Sequence, residues 1–144
     1  MFFSRACEYG IRAMLYLATQ PKAGGPVLVR DVAQDLKIPS PFLSKIVQTL
    51  AREGLINSQK GPGGGITLAR PASEIRLIQV VEAIDDLEFT QACVLGLPDC
   101  GDSKPCPVHE QWGKIRERIR KMLESRTIAR FAKQLKDQEY VLVR

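Results

Sequence analysis

Six consecutive residues, Lys60-Gly61-Pro62-Gly63-Gly64-Gly65, restrict the possible folds of this 144-residue chain more than any other segment. Glycine enters left-handed backbone without a Cβ clash and proline holds φ near about −65°, so the run makes a sharp turn and cannot lie inside a helix or strand. Leu55 to Ser58 and Ile66 to Ala69 flank it as two short β-compatible segments, which makes the run the tip of a hairpin.

Three helical patterns precede the hairpin. From Ser4 to Thr19, Cys7, Ile11, Met14, Leu15 and Ala18 recur at helical spacing, and Pro21, Gly24 and Gly25 end the pattern. A second helix is expected from about Arg30 to Leu36, where Val29, Val32, Ala33 and Leu36 keep the three-and-four spacing, with Lys37 to Pro39 as a short turn. In the third, Ser40 is read as the N-cap and Pro41 as the first helical residue, Leu43, Ile46, Val47 and Leu50 form the buried stripe, and Gly54 stops the helix. Helix, turn, helix, hairpin is the order of a winged helix-turn-helix domain.

Downstream, Leu77 to Leu87 is predicted to be a short helix, Thr90 to Pro107 a loop, and Glu110 to Leu135 one long helix. Trp112, Ile115, Ile119, Met122 and Leu123 line a stripe on that last helix that a small domain would leave exposed, and a two-fold homodimer is the simplest cover. The expected organisation is a winged helix-turn-helix domain over 1–72, a connecting helix over 73–90, a cysteine loop over 91–109, a dimerisation helix over 110–136 and a tail over 137–144. The fold class is mainly α with one small β-hairpin.

Composition narrows the function classes. With 21 Lys+Arg against 16 Asp+Glu the formal charge is +5, which favours a polyanionic partner. A hydrophobic content of 44% argues against disorder, and no apolar run approaches the roughly 20 residues of a membrane span. Arg5, Cys7 and Glu8 interrupt the apolar character of Met1 to Tyr9, so no secretory signal is expected and the chain is placed in the cytoplasm. An enzyme is not expected: there is no nucleophile elbow, no phosphate-binding loop followed by lysine, and a single histidine for acid–base work.

The second helix of a helix-turn-helix pair enters the major groove of double-stranded DNA, so its outward side chains should be small, polar or basic. Ser40, Ser44, Lys45 and Gln48 project opposite the apolar stripe. Lys45 can reach guanine or phosphate, Gln48 can pair with adenine, and the serines suit either kind of partner. The hairpin tip adds Lys60, and Gly63 to Gly65 leave backbone bare for close approach to a phosphate or the minor groove. Taken singly, each of these residues fits an ordinary solvated face equally well. Their placement together, on a capped helix followed by a basic wing, is what favours DNA.

Three of the four cysteines crowd into one segment, with six residues between Cys93 and Cys100, five between Cys100 and Cys106, and two between Cys106 and His109. Reducing thiol pools oppose disulfides in the cytoplasm, so the clustering points to a metal. Thiolate and imidazole suit zinc or iron–sulfur iron, and these wide gaps fit the perimeter of a cluster better than the close pairs usual for structural zinc. Zinc held by the three cysteines and His109 stays open, as does a His109 that only starts the long helix. Cys7 lies on the apolar side of the first helix and reads as a buried free thiol, with Glu8 beside it solvated.

The stretch Glu8-Tyr9-Gly10-Ile11-Arg12-Ala13-Met14-Leu15-Tyr16-Leu17-Ala18, the glycine-rich tip, the cysteine trio, Cys106-Pro107-Val108-His109 with Trp112, and Thr127-Ile128-Ala129 resemble the IscR and NsrR family of bacterial winged-helix regulators. The resemblance covers nearly the whole chain and lies closer to the IscR branch. It implies a homodimeric transcription regulator, a repressor in the first instance, that reads a palindromic operator under the control of an iron–sulfur cluster sensing iron–sulfur status, redox stress or nitric oxide. It further implies Cys93, Cys100 and Cys106 as cluster ligands and His109 as the fourth ligand of a [2Fe–2S] centre. A [4Fe–4S] centre ligated by Glu8 from the other subunit is the NsrR-like alternative. The gap between Cys93 and Cys100 is one residue longer than the commonest family spacing. Two rivals remain at this point: a regulator in which zinc is a staple, and a small iron–sulfur redox protein without specific DNA binding.

Overall fold

The computed structural model describes residues 2–21, 25–138 and 141–143. Gly24, expected to help end the first helix, and part of the expected tail lie outside them. Six α-helices and one two-stranded antiparallel sheet make up the regular structure of the described residues: α1 (Arg5–Thr19), α2 (Val29–Leu36), α3 (Ser40–Arg52), β1 (Ile56–Gln59), β2 (Gly65–Leu68), α4 (Leu77–Asp85), α5 (His109–Ser125) and α6 (Ile128–Asp137). None of these helices is long and apolar enough to cross a membrane.

Helix α1 is the centre of the molecule. Ser4 caps it by accepting a hydrogen bond from the Cys7 amide at 3.0 Å, and its own amide is held by Asp85 of α4 at 2.8 Å. One face, with Cys7, Ala13 and Met14 fully buried, packs against α3, α4 and α6. Full burial of a side chain such as Met14 is worth about 1.5–3 kcal/mol, so this face carries much of the fold's cohesion. Gly10 lets α1 approach its neighbours closely: a Cβ there would run into Ile84 of α4 and stand 3.3 Å from Cγ2 of Ile46 in α3.

The helix-turn-helix pair follows. Lys37 ends α2 in left-handed backbone at φ 54°, and Ile38 returns into the core at 4% exposure. Pro39, and not Ser40, takes the N-cap of α3; its carbonyl accepts from the amides of Phe42 and Leu43, each at 3.0 Å, so Ser40 becomes the first helical residue and Pro41 the second. The stripe Leu43, Ile46, Val47 and Leu50 is buried as expected.

The wing begins one residue later than the sequence pattern indicates, because the Leu55 amide is already committed to the Leu50 carbonyl at 2.9 Å as the chain leaves α3. The strands pair in the register Ile56↔Leu68 to Gln59↔Gly65. Val27 exchanges backbone hydrogen bonds with Ile66 at 3.0 and 2.8 Å, which fastens the wing to the segment ahead of α2. At the tip, Gly63 takes φ 73°, while a Cβ on Gly64 would meet backbone carbonyl oxygens of Gln59 and Gly61. Glycine at 64 is therefore dictated by the hairpin itself.

Helix α4 stops at Asp85, short of the expected Leu87, because Asp86 adopts φ 62° and its Oδ1 accepts from the Glu88 amide at 2.7 Å. The expected single helix from Glu110 to Leu135 is a correction: it is two helices broken at Arg126 and Thr127. The Leu77 amide donates to the Arg126 carbonyl at 2.9 Å and the Ile128 amide to the Ile75 carbonyl at 2.8 Å, so the break is an extended segment paired with the entry to α4. Thr127 then caps α6 by accepting from the Arg130 amide at 3.2 Å. The break lets α6 fold back so that Ile128 and Ala132 are buried and the helix packs along α1. On α5 the stripe divides: Leu123 is fully buried and Ile119 half-buried, whereas Ile115 and Met122 are each 49% exposed.

Gly10→Val is expected to lower unfolding free energy by about 1–3 kcal/mol through overpacking between α1, α3 and α4. Ile84→Ala in the same chain should recover part of that loss, and urea denaturation of the single and double variants checks both.

Candidate functional site

Cys93, Cys100 and Cys106 leave α4 and re-enter at α5 on one loop, and their three Sγ atoms lie within 4.8 Å of one another. Cys93 and Cys106 Sγ are 3.7 Å apart. That separation is about the edge of a tetrahedron with metal–sulfur bonds of about 2.3 Å, so two thiolates can share one metal without rearrangement. The three half-buried thiols, with His109, line a cavity of about 270 Å³.

His109 is the first residue of α5, and its Nδ1 is 3.2 Å from Cys100 Sγ. Its Nε2 is 3.2 Å from Oδ1 of Asp102. An ionised carboxylate only accepts, so Nε2 carries the proton and donates to Asp102, which leaves the Nδ1 lone pair facing the thiols. The donor set is three thiols and one oriented imidazole, a fit for a soft or borderline metal.

The thiols differ in acidity. Backbone hydrogen bonds from Leu97 and then Leu95 stabilise the Cys93 thiolate and bring its pKa down to about 7, against the opposing effect of partial burial. At Cys100 the backbone of Cys106 favours the thiolate, but desolvation and the neighbouring thiols of Cys106 and Cys93 outweigh it and the pKa rises. Cys7, fully buried on α1, is pushed up to about 12 by desolvation and by the nearby Asp85 carboxylate. It is the inert buried thiol expected from its position.

Glu8 does not join the cysteines within one chain. It lines a separate concavity with Arg5, Tyr9 and Arg12, where the Arg12 guanidinium sits 4.9 Å over the Tyr9 ring. Tyr9 in turn meets Phe42 of α3 edge-on at 5.5 Å.

The candidate DNA face is laid out on α3 and the wing. Lys45 and Gln48 are exposed, Ser40 and Ser44 half-buried, and Lys60 and Gly63 exposed at the tip with Gly64 half-buried. Lys45 and Lys60 form no ion pair among the described residues.

Residues 3–134 match the sequence model of the Rrf2 family, described as iron-dependent transcriptional regulators. The chain belongs to this family. An HTH-type transcriptional regulator of Aquifex aeolicus is 32% identical over 130 residues, covering 89% of each chain. The HTH-type transcriptional regulator IscR of Serratia proteamaculans is 33% identical over 122 residues, 85% of this chain and 73% of its own. Among solved structures, T. potens IscR superposes with a TM-score of 0.76 at 25% identity over 96% of this chain and 90% of that one. CymR of B. subtilis, at 24% identity, shares the fold with a TM-score of 0.79 over 92% of this chain and 96% of that one. This member of the Rrf2 family, on its IscR-like branch, is thus a winged-helix DNA-binding transcription regulator and not an enzyme.

Three site residues escaped the sequence reading. Trp112, placed on the apolar stripe, donates from Nε1 to the Ala92 carbonyl at 2.8 Å. Arg116 donates from Nη1 to the same carbonyl at 3.2 Å, and Asp102 orients His109. The signal for two of them was present: residues 109, 112 and 116 are spaced three and four apart and share one helix face.

In the metal-free chain, Cys93 should alkylate with iodoacetamide at a rate that rises with pH and reaches half its maximum near pH 7, since the thiolate is the nucleophile. Cys7 should stay unmodified across that range, and peptide mass mapping of labelled protein distinguishes the two.

Proposed function

We propose that this regulator is controlled through an iron–sulfur centre held by Cys93, Cys100 and Cys106 with His109 as the fourth ligand, the [2Fe–2S] arrangement. The carrying observation is the convergence of three Sγ atoms within 4.8 Å beside an imidazole whose free nitrogen faces them, in a family described as iron-dependent. Such a centre, when bound, supplies a charge and a set of bonds that change with redox state, iron supply or nitric oxide. The chain's own residues do the rest. Cys93 to Cys106 set the loop, Asp102 fixes the ring of His109, and His109 opens α5, so displacement of a ligand is felt at the start of that helix.

The uncovered Ile115 and Met122 support a homodimer through α5, which presents two copies of α3 and the wing to a palindromic operator. Half-site spacing then depends on the angle at which the two α5 helices meet, so a small rotation alters DNA affinity without changing a contact residue. In that dimer Glu8 of the partner subunit is the alternative fourth ligand, with a [4Fe–4S] centre. Ser40, Ser44, Lys45, Gln48, Lys60, Gly63 and Gly64 are the proposed DNA contacts.

A second reading, a zinc staple in place of the cluster, is favoured by one observation: the 3.7 Å separation of Cys93 and Cys106 suits a single tetrahedral ion as well as it suits the iron of a cluster. Protein purified without oxygen separates the two. Iron, sulfide and visible absorption in the wild type, lost in Cys100→Ala, are expected, with a shifted spectrum in His109→Ala and none in Glu8→Ala. Zinc without sulfide leaves the regulator but removes the cluster.

For DNA, a duplex selected from a random pool by the wild-type protein provides the probe. Gln48→Ala is expected to cost about 1–3 kcal/mol on that duplex and relax its sequence preference, while Lys45→Ala weakens all duplexes and lowers the salt slope by about 1. A chain that binds no duplex selectively is a redox protein instead.

A further inference from the structure

The cavity that holds the thiols has one cation on its wall. Arg116 lies two turns along α5 from His109 and lines the cavity with the three cysteines. Its Nη1 donates to the Ala92 carbonyl at 3.2 Å, and Trp112, one turn earlier, donates to the same oxygen at 2.8 Å. Ala92 immediately precedes Cys93, so two side chains of α5 fasten the first ligand's backbone to the helix that carries His109.

Part of this guanidinium is left over. Arg116 Nε is buried with no hydrogen-bond partner, in a protein where buried N–H groups are nearly always paired. The carboxylate on the same wall, Asp102, is engaged by His109, and Arg116 forms no ion pair among the described residues. A positively charged donor without an anion thus shares a cavity wall with three thiols that become negative on binding metal. Hydrogen bonds and nearby charge at the sulfurs are the protein's means of setting the reduction potential of an iron–sulfur centre.

We propose that Arg116 is a positioning residue of the thiol site, which pins Cys93 through the Ala92 carbonyl and offers its buried Nε–H and positive charge to the sulfurs. The inference rests on the iron–sulfur reading of the cysteines and adds a residue that touches the loop but ligates nothing. A cation beside the centre stabilises the more negative, reduced form. Its removal therefore shifts the equilibrium toward the oxidised form.

The test uses full-length protein purified and loaded without oxygen, as wild type, Arg116→Gln and Arg116→Lys. Iron and sulfide are quantified, and the midpoint potential is read by mediated titration with dithionite. At unchanged iron and sulfide content, Arg116→Gln should reduce less readily by about tenfold in equilibrium constant, a potential about 59 mV lower for one electron, with Arg116→Lys restoring most of the shift. A fully loaded Arg116→Gln protein with the wild-type potential overturns the proposal and leaves the iron–sulfur reading intact. If Arg116→Gln is folded by circular dichroism but takes up no iron, the Lys variant decides: loading by Lys supports the role of the charge, and failure of both reduces Arg116 to a structural clamp and overturns it. Wild-type protein that takes up no iron and sulfide overturns both.

Discussion

The close packing of α1 against α3, α4 and α6 is the contact on which the rest of the molecule depends. Gly10 gives α1 the shape to lie against Ile84 and Ile46 together, one from the helix leading to the cysteine loop and one from the second helix of the helix-turn-helix pair. Ser4 at its start is tied to Asp85 at the end of α4, and Tyr9 on its flank meets Phe42 at the start of α3. A close-packed interior of this kind transmits displacement instead of absorbing it. The two functional ends of the chain thus share one rigid helix.

The thiol site is built on the opposite principle. Its thiols come from a loop with little regular structure, in which Val94, Leu95 and Leu97 are about half exposed and the backbone is held by short turns. What orders it is α5, through His109 on one side and the Ala92 carbonyl held by Trp112 and Arg116 on the other. A loop fixed mainly by one helix can move while the packed winged-helix half stays intact. The uneven acidity of Cys93 and Cys100 fits the same division, since one thiol rests on backbone donors and the other is crowded by sulfur.

The boundaries where periodicity and structure part have local causes. Strand β1 starts after Leu55 because that amide still serves α3, and α3 starts at Ser40 because the Pro39 carbonyl begins its ladder. The break at Arg126 and Thr127 was hidden because helical spacing continues through it: Ile119, Leu123 and Ile128 all pack on one hydrophobic core, which they reach from two different helices. The competing signal was Thr127 itself, a residue suited to an N-cap, and only its pairing with Arg76 turns that suitability into a break. Trp112 was read as apolar surface because periodicity registers its ring and is blind to the partner of its indole N–H.

By itself the sequence determined the order of elements as far as α4, the glycine-rich wing, the buried stripe of α3 and the set of three thiols with one histidine, because each is a property of residue type and spacing along the chain. Tertiary structure alone decided that α6 folds back on α1, that Asp102 turns the Nδ1 of His109 toward Cys100, and that Arg116 joins Trp112 on one carbonyl. Each of these joins residues through hydrogen-bond geometry or packing direction. Spacing brings such groups within reach of one another, but only the folded backbone sets the angle at which they meet.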